Sequence, residues 1–126
     1  MTTQNKVLII DDEPAIRDLL EAWFSGYNFI ADKAENPETA IELISLNEYS
    51  IIVVDFTMPV MRGSDFIEGI RDLTGKAEII GMSAQPYVKN IFLKAGADYF
   101  VEKPIDFKRL ASIIKRLHLI NGSPEE

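Results

Sequence analysis

Val7-Leu8-Ile9-Ile10-Asp11-Asp12 is an apolar, partly β-branched run that ends abruptly in two carboxylates. A run apolar at every position, rather than at alternate ones, is the pattern of a strand covered on both faces. The same pattern recurs three times. Ile51-Ile52-Val53-Val54 ends in Asp55, Ile79-Ile80-Gly81-Met82 ends in Ser83, and Tyr99-Phe100-Val101-Glu102 ends in Lys103-Pro104. If these runs are parallel strands, three carboxylates, a hydroxyl and an ammonium emerge at one edge of one sheet.

Helical patterns separate the runs. Pro14 stands where a first helical turn tolerates proline, Ile16, Leu19, Leu20 and Trp23 follow at helical spacing, and Gly26 closes the segment. Asn36-Pro37 opens a second helix with Ala40, Ile41 and Ile44 on its apolar face, and Phe66, Ile67 and Ile70 mark a third. Val88, Ile91, Phe92 and Ala95 mark a fourth, closed by Gly96. Asp106 caps a fifth, with Phe107, Leu110, Ile114 and Leu117 on one side. Strands are predicted over 6–10, 29–33, 50–54, 77–82 and 98–102, and a loop over 56–63. Trp23, Phe24, Phe66 and Phe92 are predicted core. Ile113 and Ile120 lie off the main stripe of the last helix, which leaves them as a partner surface or as partly buried positions.

Five βα units in alternation imply a doubly wound parallel sheet with helices on both faces. Ligands of such sheets bind outside the carboxyl ends of the strands, where the strand order switches. Topology therefore places Asp11, Asp12, Asp55, Ser83 and Lys103 around one site. The 126 residues suit a single domain, predicted over 1–120, with 121–126 as a polar tail or the start of a linker. The net charge of −7 disfavours direct binding to nucleic acid, which needs a basic surface. With no cysteine, disulfide and thiolate chemistry are excluded. No apolar run is long enough to span a membrane and the short polar start is not a signal peptide, so a cytoplasmic location is expected.

The predicted site is all oxygen and ammonium. Hard cations such as Mg2+ take oxygen ligands, keep several waters, and are held by one or two carboxylates together with phosphate oxygens. Asp12 and Asp55 can supply the direct carboxylates, Asp11 a direct or water-mediated one, and a backbone carbonyl just past Asp55 the remainder. No cysteine accompanies them and the single histidine, His118, is distant, which argues against zinc; His118, near the end of the last helix, reads as surface. A carboxylate is also a nucleophile toward phosphorus. Asp55, alone at its strand end, is the best candidate, with Lys103 and Ser83 placed to hold phosphoryl oxygens. Taken singly, an aspartate ahead of Pro14 is a helix cap and Ser83 a loop hydroxyl; the company of Asp55 and Lys103 favours a shared site.

On Asp11-Asp12, Asp55 with Met58-Pro59 and Gly63, Ser83-Ala84 and Lys103-Pro104, the chain resembles the receiver domains of bacterial two-component response regulators over about residues 5 to 119. The resemblance implies the flavodoxin-like strand order 2-1-3-4-5. It implies that Asp55 accepts a phosphoryl group from the phosphohistidine of a sensor histidine kinase or phosphotransfer protein. Mg2+ would be held by Asp12, Asp55 and the Thr57 carbonyl, with Asp11 nearby. Lys103-Pro104 would be a cis peptide. Ser83 and Phe100 would act as the switch, the hydroxyl moving toward the phosphoryl group and the aromatic ring turning inward. The surface of the fourth helix, last strand and fifth helix would then change its affinity for an output domain or downstream protein. Arg62 departs from the family pattern, in which an aspartate is common there; the stretch from Ser83 to Lys103 is shorter than in many relatives, and Phe100 has no hydroxyl. Two other functions compete: a degenerate receiver acting as an interaction scaffold, and a phosphatase with an aspartyl nucleophile. The second is disfavoured because Thr57 stands where such enzymes commonly carry a general acid. Beyond its own phosphorylation and dephosphorylation, the chain is therefore expected not to be an enzyme.

Overall fold

The structure, a computed structural model, describes residues 5–56 and 62–117. Five strands, β1 (Asn5–Ile10), β2 (Phe29–Ala34), β3 (Ile51–Asp55), β4 (Glu78–Ser83) and β5 (Tyr99–Glu102), form one sheet in the order β2-β1-β3-β4-β5. Every pairing is parallel. The helices are α1 (Pro14–Ser25), α2 (Pro37–Leu46), α3 (Gly63–Ile70), α4 (Lys89–Ala95) and α5 (Phe107–Arg116), with a 3-10 turn at Pro86–Val88 leading into α4. This is the doubly wound sheet, with the strand order, that the sequence and the resemblance lead one to expect.

Side chains alternate across a strand, and here both sides find partners. Leu8, Ile10, Ile52, Val54 and Ile79 join Ile44, Phe66, Ile67 and Phe92, so α2, α3 and α4 cover one face. Val7, Ile9, Val53, Ile80, Met82 and Val101 join Leu20, Phe24, Leu110, Ile113 and Ile114, so α1 and α5 cover the other. That two-sided cover is the reason the strands are apolar at every position.

Helix starts follow local hydrogen bonding. The Asn36 side chain accepts from the Thr39 amide at 2.8 Å and the Asp106 side chain from the Arg109 amide at 3.0 Å. Both caps fall where predicted. Gly26 does follow α1, but in right-handed geometry with φ −65°; the left-handed residue in that turn is Asn28, at φ 67°.

Several side chains depart from expectation. Ile113 is only 1% exposed and belongs to the core beneath α5, so it is not a partner surface. Leu19, Ile41 and Ile91 lie within the predicted apolar stripes yet are exposed, because each helix buries a narrower face than its sequence offers. Trp23 is only partly buried and packs on Tyr27 and Phe107 at the margin of the α1–α5 core. Asp98, predicted to open the last strand, precedes it. Its carboxylate accepts from the Ile79 amide at 2.9 Å and pairs with Arg71 at 3.1 Å. Thr57, Met58, Pro59, His118 and Ile120 lie outside the described residues.

Gly81 shows how closely the α4 face packs. A Cβ there would lie 2.7 Å from the Phe92 ring. Gly81→Ala is expected to cost about 1–3 kcal/mol by overpacking. The urea midpoint should fall while the slope of the transition stays as in the wild type.

Candidate functional site

The sheet delivers its polar residues in register. Ile10 pairs with Val54, Asp55 with Met82, and Ser83 with Glu102. Asp11, Asp55, Ser83 and Lys103 are thus the ends, or the residues just past the ends, of four neighbouring strands. The Lys103 amide donates to the Ser83 carbonyl at 2.9 Å, which extends the β4–β5 ladder to the site itself. The Lys103-Pro104 peptide is cis, as the resemblance implies.

The centre is one ammonium between two buried carboxylates. Lys103 Nζ donates to Asp55 Oδ1 at 2.8 Å and to Asp11 Oδ2 at 2.9 Å, with Glu13 further off at 3.9 Å. Asp11 is 0% exposed and Asp55 6%. Asp12 is exposed, and it is not the helix cap that its position ahead of Pro14 allows. The N-cap of α1 is Glu13, without a side-chain cap bond; the Glu13 amide donates instead to Asp11 Oδ1 at 2.9 Å.

Burial dominates the electrostatics. It pushes Asp55 up to about 6; the Lys103 ammonium opposes that rise, while Asp11 and Asp12 add to it. Burial alone would lower the Lys103 pKa, but its bonds to Asp55 and Asp11 outweigh this and the net shift is upward. Lys103 therefore stays charged at neutral pH, with more negative charge around it than it can offset.

Carboxylate oxygens of Asp11, Asp12 and Asp55 lie within 4.8 Å of one another. Three hard oxygen donors, two of them buried, fit an oxygen-seeking divalent cation such as Mg2+ that retains part of its water shell. The Thr57 carbonyl, also named as a ligand from the sequence, lies outside the described residues.

Gly63 explains how the chain after Asp55 can close on the site. A Cβ at Gly63 would collide with the Asp55 carbonyl oxygen and lie 2.9 Å from the Phe56 Cα, and the Gly63 amide donates to the Phe56 carbonyl. Arg62, at the N-cap of α3, is exposed.

Ser83 is buried beside this group, and its Oγ accepts from the Gln85 amide at 3.0 Å. That bond leaves the hydroxyl proton available to another acceptor. Phe100 already faces inward, against Phe92 at 5.9 Å between ring centroids, and Phe92 in turn contacts Phe56 at 5.4 Å. An aromatic row thus connects the residue after Asp55 to β5. Arg17 was not legible as a site residue. It donates to the Asp11 backbone carbonyl at 2.8 Å, a contact that no spacing rule announces.

Open parallel sheets bind their ligands at this carboxyl edge, and an acidic pocket with one lysine there has the chemistry to suit a cation beside a phosphoryl group. The sequence profile of the response regulator receiver domain matches residues 7–115, and the chain belongs to that family. It is similar to the response regulator protein PilR of Pseudomonas aeruginosa, with 31% identity over 127 residues, 98% of this chain and 28% of PilR. It is also similar to the two-component response regulator ORR41 of rice, with 30% identity over 120 residues, 90% of this chain and 94% of that protein. The chain thus spans 28% of the length of PilR, and the same share of the regulatory protein AtoC of Escherichia coli. Among solved structures it resembles the response regulator TrrA of Thermotoga maritima in complex with Mg2+ and BeF. There the TM-score is 0.81 with 30% identity, covering 90% of this chain and 98% of that one.

A raised Asp55 pKa makes its ionisation a cost to the fold. The associated stability is fully present below the unfolded value of 3.8 and is lost as pH rises through about 6. Asp55→Asn is therefore expected to raise the melting temperature by several degrees in EDTA at pH 7.5. The gain should shrink as pH is lowered through 6 and vanish near pH 4, as followed by calorimetric scans.

Proposed function

We propose that in this receiver domain of phosphorelay signal transduction Asp55 is the phosphoacceptor, that the donor is a phosphohistidine on a sensor histidine kinase or phosphotransfer protein, and that the transfer depends on Mg2+. The observation that carries this reading is the Lys103 ammonium on Asp55, 2.8 Å away, beside a second acidic wall from Asp11 and Asp12. Phosphoryl transfer needs positioning and charge stabilisation more than it needs acid–base groups. Lys103 supplies a point charge for one phosphoryl oxygen, and the Ser83 hydroxyl can donate to another. Asp12, Asp55 and Asp11, with the Thr57 carbonyl, would hold Mg2+, which neutralises the transferring group when bound.

The same proposal assigns the switch to Ser83 and Phe100 and the responding surface to α4, β5 and α5. It takes the chain as a phosphoacceptor that is no more than its own kinase and phosphatase, since Thr57 offers no general acid two residues past Asp55. A cytoplasmic location belongs to the proposal as well; no helix among the described residues is long and apolar enough to cross a membrane. The output, through an attached domain or a separate protein, is left to the partner of the α4-β5-α5 surface.

The test uses acetyl phosphate with Mg2+, read by intact-protein mass spectrometry. The wild type should gain one phosphoryl group and lose it again on adding EDTA and hydroxylamine. Asp55→Asn should gain none. The same adduct on the Asn variant, or none on the wild type, would remove Asp55 from this role. Steady hydrolysis of a phosphate monoester at enzyme-like rates would favour the phosphatase reading instead.

A further inference from the structure

We propose that Arg17 is a positioning residue for the cation site: by fixing the Asp11 carbonyl it sets the direction in which Asp12 is presented. This rests on the receiver reading above and adds to it a residue that touches neither cation nor phosphoryl group.

Asp11 is hydrogen-bonded on every side. Its amide donates to the Ala34 carbonyl at 3.1 Å, its Oδ1 accepts from the Glu13 amide at 2.9 Å, and its Oδ2 accepts from Lys103 at 2.9 Å. The remaining polar atom, the backbone carbonyl oxygen, accepts from Arg17 Nη1 at 2.8 Å. All four polar atoms of a fully buried residue are therefore engaged. A buried carbonyl stripped of its donor is costly, so this bond fixes the peptide plane between Asp11 and Asp12.

On the far side of Asp12 the Glu13 carbonyl accepts from the Ile16 and Arg17 amides, each at 3.1 Å, as the ordinary first turn of α1. The exposed Asp12 thus lies between the helix start and the Asp11 carbonyl, and of these contacts only the Asp11 bond depends on the Arg17 side chain. The guanidinium is well placed for this: the side chain is 15% exposed, and among the described residues it has one ion pair, with the exposed Glu35 at 3.9 Å, too weak to direct it elsewhere.

Charge and position make opposite demands. A guanidinium close to a cation site repels the cation, so if Arg17 acted through charge, removing it would tighten Mg2+ binding. If it acts by holding the turn, removing it weakens binding, as loss of a ligand's supporting partner commonly does, by tenfold or more.

The experiment measures Mg2+ affinity by titration calorimetry on wild type, Arg17→Met, Arg17→Lys and Glu35→Gln. It also follows hydrogen exchange at the Glu13 amide in EDTA. For Arg17→Met we expect Mg2+ binding weakened about tenfold and faster Glu13 exchange without metal. Arg17→Lys should recover part of both, and Glu35→Gln should match the wild type. Equal or tighter binding by folded Arg17→Met overturns the proposal. If that variant does not fold, Arg17→Gln, whose shorter side chain falls short of the Asp11 carbonyl, decides, and wild-type affinity with wild-type Glu13 exchange in it overturns the proposal. A wild type that does not bind Mg2+ would instead fail the receiver-site reading and take this proposal with it.

Discussion

One ammonium shared between two buried carboxylates organises this molecule. Lys103 reaches Asp55 and Asp11 at 2.8 and 2.9 Å, at a place where water contributes little screening. With Asp12 and Glu13 close by, the site holds more negative than positive charge. Removing an ionised carboxylate from water is expensive unless it is paired and hydrogen-bonded. Asp11 meets that condition fully. Asp55 meets it only in part, which is why burial still raises its pKa to about 6. A divalent cation is the natural complement, and a phosphoryl group on Asp55 would give Lys103 a better-suited partner.

The rest of the fold serves to make that arrangement obligatory. Five parallel strands end together because their register is set by apolar side chains on both faces, and a slip of one residue would send each to the wrong side. The β4–β5 ladder carries Lys103 to Ser83 by a backbone hydrogen bond. Gly63 permits the chain after Asp55 to return against the strand end, where any side chain would strike the Asp55 carbonyl. The core thus brings the polar groups to one edge, and their own hydrogen bonds fix their orientation there.

This dependence explains what could be read from residue order. The strands were legible because two-sided burial leaves an uninterrupted apolar run, and the site was legible because each run stops at a polar residue. Asn36 and Asp106 announced their helices by side-chain caps that the structure contains. Less legible were the faces of the helices. Leu19, Ile41 and Ile91 carry the right spacing but fall at the edge of the stripe, whereas Ile113, outside the expected stripe, packs fully under α5. Helical periodicity locates a face only to within about one residue's turn, and packing decides the margin. Asp98 was misplaced because its carboxylate substitutes for a ladder partner at the Ile79 amide. Arg17 was missed for a related reason: it acts on a backbone carbonyl, and a main-chain acceptor leaves no mark in a sequence.

The central claim is that the three aspartates form one cation site whose deficit of positive charge the fold itself creates. Calorimetric titration of the wild type and of Asp55→Asn with MgCl2 at pH 7.5 tests it directly. One Mg2+ per chain, with affinity greatly reduced in the Asn variant, is the expected result. No heat of binding in the wild type, or binding indifferent to Asp55, would contradict it.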